Sequence, residues 1–416
     1  MPPALLDLAD SNLQLWHGDK HVQSPGYALL DKGRFVFGNE ARRAARVRPR
    51  DINTQFWWRL GTDPLQPPLG HARHTGDLAH AHLNDLYARA SEPGEVLFAV
   101  PGSMPHDQLS LLLGIAQQCP FEAAGLVNRS VALASLHGDQ ETVVHLELQL
   151  HQAMVYFIAV EDAAWSLDSQ QSLPGCGLLQ LQERLVETIA AAFVRQARFD
   201  PRRKANSEQE LYDALPRLLS TLQSQSETTI DVGGYQARIA RAELVSCAER
   251  LRDGVLGALG GRLPNSPVLV EPLTATLPGI GDWLDSLRVI GADDLRRALT
   301  LHAPSIAQTG QALSLVTTLP GLGNAEPSPV TQPPRTPAPA PTHLLVGHRA
   351  RALATEGGDL VEGWRLHQAN GEWRLAGDGA PPLVNDREYV PGQTLASGDV
   401  IRIGEAYAAQ LIEVEA

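Results

Sequence analysis

The chain has 416 residues, 43% apolar and 19% charged, a balance that excludes wholesale disorder and gives material for two or three domains. Its formal net charge of −13 excludes the concentrated positive surface that nucleic-acid binding needs. Three scattered cysteines, Cys119, Cys176 and Cys247, offer no disulfide framework and predict a reduced, cytoplasmic protein. No apolar run reaches the ~18 residues of a membrane helix. The opening stretch lacks a basic lead-in and carries Asp7 and Asp10, so no secretory signal and no integral membrane segment are expected.

In chain order, Leu5–Leu8 and Leu13–Trp16 read as a first hairpin, and Tyr27–Leu30 with Arg34–Phe37 as a second. Asn39–Val47 turns helical, and Thr75–Ala90 is a helix candidate before a buried strand at Glu95–Val100. His106–Gln118 places Leu109, Leu112, Leu113 and Ala116 at helical spacing. Leu126–Val127 and Val131–Ser135 follow, then a strand pair at Thr142–Leu150 and Met154–Val160, and a long helix over Leu178–Gln196. Val268–Val270 is a short strand ahead of a turn at Pro278–Gly281. Strands and hairpins followed by helices, twice over, predict an α/β protein built from two similar halves.

Between Pro320 and Pro341 the text holds eight prolines and almost no apolar bulk, which predicts an extended spacer because proline fixes φ and donates no ladder bond. The expected domains are a body over 1–319, a linker over 320–341 and a module over 342–416. The last, with short strands and frequent Gly and Asn, reads as a small β-sandwich.

Ser24–Leu60, Val96–Ala134 (which follows a strand, "V-P-x-x", helix and "N-E-P-x-A-A" progression) and Thr228–Gly257 resemble the nucleotide-binding domain of the 70-kilodalton heat-shock chaperones. The resemblance covers nearly the whole body. It implies a two-lobed actin-like fold, a duplicated mixed sheet with flanking helices, within the actin and sugar-kinase superfold. It also implies two glycine-rich hairpins whose backbone N–H groups cradle phosphates.

The first such hairpin, "D-L-G-T-T-N-S" in the family, stands here as Asp7-Leu8-Ala9-Asp10-Ser11-Asn12-Leu13. Ala9 replaces the glycine, and Asp10 places a negative charge where a phosphate belongs. The second, "D-L-G-G-G-T-x-D", is Glu147-Leu148-Gln149-Leu150-His151-Gln152-Ala153-Met154, with every glycine gone. Val270-Glu271-Pro272 keeps neither glycine nor arginine of the adenosine loop, Pro216 stands for a helix lysine, and Trp58 for the lysine of "K-R-L". The phosphate space is therefore expected to be filled by Leu150, His151 and the Asp10 carboxylate. Should a nucleotide be retained, Asp7, Asp10, Ser11 and Asn12 are the residues left to contact ATP and its magnesium.

No G-x-x-x-x-G-K or G-x-S-x-G is present, and Ser103 reads as a turn residue. His71, His74, His80 and His82 have spacings that can hold zinc, but without nearby cysteine they read as a solvated helix face. Trp57 and Trp58 read as core. The last 75 residues resemble a forkhead-associated domain through Val384-Asn385, Leu395 and Gly398-Asp399-Val400-Ile401-Arg402-Ile403-Gly404, with a loose early match at Gly347 and Arg349. Arg349 and Asn385 are the expected recognition surface, although Gly357–Gly363 lacks the family's "S-x-x-H" loop. These readings together predict a non-catalytic adaptor, with a pseudo-ATPase body, no cofactor and other proteins as partners. The alternative is a chaperone-like or actin-like ATP-binding protein with unusual contacts.

Overall fold

The computed structural model describes residues 2–137, 140–162, 164–260, 266–283, 286–308 and 313–322, then 341–346, 349–353, 358–361, 363–369, 372–377, 379, 381–385, 387–389, 393–395, 397–404 and 407–412. The protein is mixed α/β and divides into two compact units, Met1–Asn324 and Ala325–Ala416.

The first unit contains two sheets of matching design. One is formed by β1 (Ala4–Asp7), β2 (Leu13–His17), β3 (Lys20–Ser24), β4 (Glu95–Val100) and β5 (Glu122–Asn128). Its order is 3-2-1-4-5, with β1, β2 and β3 antiparallel neighbours and β4 and β5 parallel to β1. The second uses β6 (Thr142–Leu148), β7 (Ala153–Glu161), β8 (Ala164–Leu173), β9 (Val268–Val270) and β10 (Leu287–Val289) in the same order with the same directions. Two short strands after them, β11 (Leu315–Val316) and β12 (Thr318–Pro320), stitch the sheets: β11 adds to β5 and β12 to β8.

Six helices bear on the site: α1 (Thr75–Arg89), α2 (His106–Ala116), α3 (Arg129–Ala134), α4 (Leu178–Ala197), α5 (Ala205–Ser224) and α6 (Asp294–Ile306). The central strands are apolar on both faces because helices cover both. In β4, Val96, Phe98 and Val100 pack with Leu78, Leu83 and Leu112 of α1 and α2, while Leu97 and Ala99 join a middle layer. That layer holds α3 and α6 between the sheets, where Val131 and Leu299 meet Leu5 from one sheet and Met154 from the other. Strand pleating then sorts β6: Val144, Leu146 and Leu148 enter the outer cluster with Leu181 of α4, whereas Val143, His145 and Glu147 share the face toward α3.

Pro216 lies inside α5, where its missing N–H deprives the Tyr212 carbonyl of a helical donor. The Arg42 guanidinium donates to that oxygen at 3.3 Å, so the loss is made good from another element. β8 buries only Trp165 and Leu173 within a polar text and has no apolar signature. The body also runs past 319, since Pro320 pairs with Ala164 and the Leu322 N–H bonds the Ser135 carbonyl. Of the expected linker, residues 323–340 lie outside the described residues.

The second unit has two antiparallel sheets. Six strands run in the order Arg349–Ala352, His343–Val346, Tyr407–Ile412, Val400–Ile403, Leu383–Val384, Arg387–Glu388, and three more are Gly358–Asp359, Arg365–Ala369 and Glu372–Ala376. Leu366 and Trp373 of the smaller sheet share a buried cluster with Leu344, Ile401 and Leu411 of the larger.

Candidate functional site

The site lies where the first strands of the two sheets meet α3. Asn128 caps that helix, its Oδ1 accepting from the N–H groups of Ser130 (3.0 Å) and Val131 (3.2 Å), which sets Arg129 at the first helical position. A cation there opposes the helix dipole, so carboxylates must hold it. Arg129 Nε donates to Asp7 Oδ1 at 2.7 Å and an NH2 nitrogen to Asp7 Oδ2 at 3.1 Å, a bidentate fork. The guanidinium also reaches Glu147 at 3.4 Å and makes a close ion pair with Glu271. Asp7 ends β1, Glu147 lies on β6 and Glu271 directly follows β9, so one arginine ties both sheets. Asp7, Arg129 and Glu147 are buried.

Burial costs these groups their hydration, and the effects differ by charge. Burial lowers the Arg129 affinity for its proton, but Asp7, Glu271 and Glu147 outweigh it and hold the guanidinium firmly charged. Burial lifts Glu147 to about 7 against the pull of Arg129, and lifts Glu271 above the ordinary carboxylate range. His145, next along the same face, bonds Ser130 Oγ at 2.9 Å and is held well below its usual range by burial and by Arg129.

The two hairpins that the resemblance assigns to phosphates close on one another. In the first, Asp10 is buried, and burial lifts its carboxyl to about 7. Its Oδ1 accepts the Leu150 N–H at 2.8 Å, and its carbonyl accepts the Gly26 N–H at 2.8 Å. In the second hairpin Gln149 N–H bonds the Gln152 carbonyl, while the Gln149 side chain donates to Ser103 Oγ and closely to Glu147.

The expected filling is thus corrected in part. Asp10 stands against the hairpin, but Leu150 turns into the cluster around Tyr27, and His151 stacks on Trp58 and bonds Thr54. A cavity of about 170 Å³ remains, lined among others by Asp10, Trp57, Trp58, Ser103, Gln149 and Gln152. That is below the ~300–1,000 Å³ of ordinary ligand pockets.

The other candidates scatter. Asp7 pairs with Arg129 and Asp10 with the Leu150 N–H; Ser11 is buried and the Asn12 N–H bonds the Ala9 carbonyl. Ser103 is a turn residue, as expected, its N–H donating to the Tyr156 hydroxyl and its Oγ accepting from Gln149. The histidine reading is corrected at His82, which is fully buried between Ser24 Oγ (2.7 Å) and Trp57 Nε1 (3.1 Å), not solvated. His74 caps α1, His80 contacts Asn84, and His71 packs on Phe35. Among the described residues no three His, Cys, Asp or Glu side chains converge at metal-binding separations, and no helix is long and apolar enough to cross a membrane.

Trp57 is core, whereas Trp58 is only half-buried on the cavity wall. In the second unit Asn385 Nδ2 donates to Asp399 Oδ1 and its Oδ1 accepts from Val400 N–H, so its amide binds its own module. Gly347 and the Arg349 side chain lie outside the described residues.

Three residues of the ion cluster, Arg129, Glu147 and Glu271, did not stand out as a set in the sequence. The available signal was an ionisable residue at or just past the end of each of three buried strands: VNR, HLE and VLVE. Comparison of the chain with protein-family models and with curated protein sequences finds no match.

Proposed function

We propose that the body is a degenerate chaperone-ATPase-like domain of the actin superfold, and that the protein is a non-catalytic adaptor joining it to a forkhead-associated-like interaction module. The duplicated 3-2-1-4-5 sheets support the fold reading. The observation that carries the functional reading is that the chain's own polar side chains take up groups the resemblance assigns to phosphates. The Asp10 side chain accepts the Leu150 N–H, and Arg129 gathers Asp7, Glu147 and Glu271.

ATP with magnesium does not fit these residues. The second hairpin has a leucine turned into the core in place of glycine, and the space beside it is small. No step is routed through a nucleotide. For the second unit, the Gly398–Asp399 turn ahead of Val400–Ile403, bonded to Asn385, supports the module reading. Other proteins are the partners in this reading.

Calorimetric titration of the full chain with ATP in magnesium is the test. No binding heat is expected at millimolar nucleotide. Micromolar affinity with turnover would overturn the adaptor reading in favour of an ATP-binding protein.

A further inference from the structure

We infer that the ion cluster at the seam is a proton-held latch: protons shared among its carboxyl groups keep the two sheets of the body closed on one another, and their departure loosens the seam. Three carboxyl groups, those of Asp7, Glu147 and Glu271, contact the Arg129 guanidinium, and a fourth, Asp10, lies within electrostatic reach of Glu271. Asp7 and Asp10 come from the first sheet's hairpin, and Glu147 and Glu271 from the second sheet. Fully ionised, the set would leave three negative charges uncompensated in a buried place, where like charges repel strongly. Two carboxylates lie on each side, so the repulsion acts across the seam rather than within one half.

Burial keeps protons on Asp10 and Glu147 up to about pH 7 and holds Glu271 above the ordinary range. The other titratable groups facing the cluster are silent near neutrality. His145 on β6 is depressed well below its usual range by burial and Arg129, so it stays neutral. Tyr156 on β7 and Tyr27 near Asp10 are both raised by burial, so they keep their protons. The parts that move first are those the cluster joins directly. These are the 8–12 turn and the 148–153 hairpin, linked by Asp10 to Leu150 and to Gly26. The latch does not depend on the nucleotide reading.

Hydrogen exchange followed by mass spectrometry on the full chain reads it, with rates corrected for the intrinsic pH dependence of amide exchange. Each proton released is worth up to tenfold per pH unit. In wild type, peptides covering 4–12 and 147–153 are expected to lose about tenfold in protection between pH 6 and 8.5, while peptides from α5 keep theirs. Glu147→Gln, which keeps the Asp10 proton donor, is expected to lose only about threefold over the same range. Unchanged wild-type protection would overturn the latch. So would an equal loss in Glu147→Gln, or a loss shared by α5, which would mean general unfolding. If circular dichroism shows Glu147→Gln unfolded, Asp10→Asn is scored by the same criteria.

Discussion

A guanidinium removed from water costs several kcal/mol unless its partners are close and well aligned. Arg129 meets that condition through its fork with Asp7 and its contacts to Glu147 and Glu271. Such a group is asymmetric in its effects: the intact set contributes little net stability, but breaking it strands buried charge. Arg129→Leu is therefore expected to destabilise the body by about 3–5 kcal/mol. Arg129→Lys, which keeps the charge and loses the planar fork, should fall between it and wild type. Urea melts at pH 7 provide the check, and an Arg129→Leu midpoint equal to wild type would contradict the ion-cluster account. The sequence announces none of this, because an arginine after "VN" and a glutamate after "HL" show their pairing only when pleating places β1, β6 and α3 around one point.

At the scale of elements, the legible parts are those with strong local patterns. Glu95–Val100 and Val268–Val270 are strands at the expected residues, and the helices at 75, 106 and 178 begin where periodicity places them. The 39–47 helix shrinks to Gly38–Arg42 followed by turns. β8 was invisible because one face is solvated and its text, AWSLDSQQSL, mimics a loop; β12 and β7 supply its ladder partners.

The 313–322 segment, which crosses the expected boundary at 319, contributes one strand to each sheet. Leu319, buried there, packs in the middle layer. A chain ending at 324 should fold its body and melt as one transition. One ending at 312 should melt about 3–5 °C lower, as loss of a buried leucine (about 2–3 kcal/mol) implies for a body of this size. Equal melting temperatures by calorimetry would show that the two strands do not hold the sheets.

Across the whole molecule, buried groups that hold protons and buried groups that refuse them oppose one another, and their balance sets the pH profile of stability. Asp10 and Glu147 bind protons up to about 7 when folded, against 3.8 and 4.5 for ordinary carboxyls. Their contribution is complete below those ordinary values and is lost as pH rises through 7. His82 has the opposite sign. Burial lowers it to about 3, and burial lowers His145 and His302 as well. The unfolded chain takes up protons at these residues below pH 6.5 and the folded chain does not, so stability falls with acid.

Between about pH 4.5 and 6.5 the two sets oppose one another. Above that window only the carboxyls change, and below it only the histidines do. The urea midpoint of the body is therefore expected to vary less across the window than outside it and to decline on both sides. Glu147→Gln should reduce the alkaline decline, because one of the carboxyls that release protons there is gone. A midpoint that rises steadily from pH 6 to 8.5 would mean that the seam carboxyls are ionised in the folded protein, and the cluster would then have to draw its compensation from a cation outside the chain.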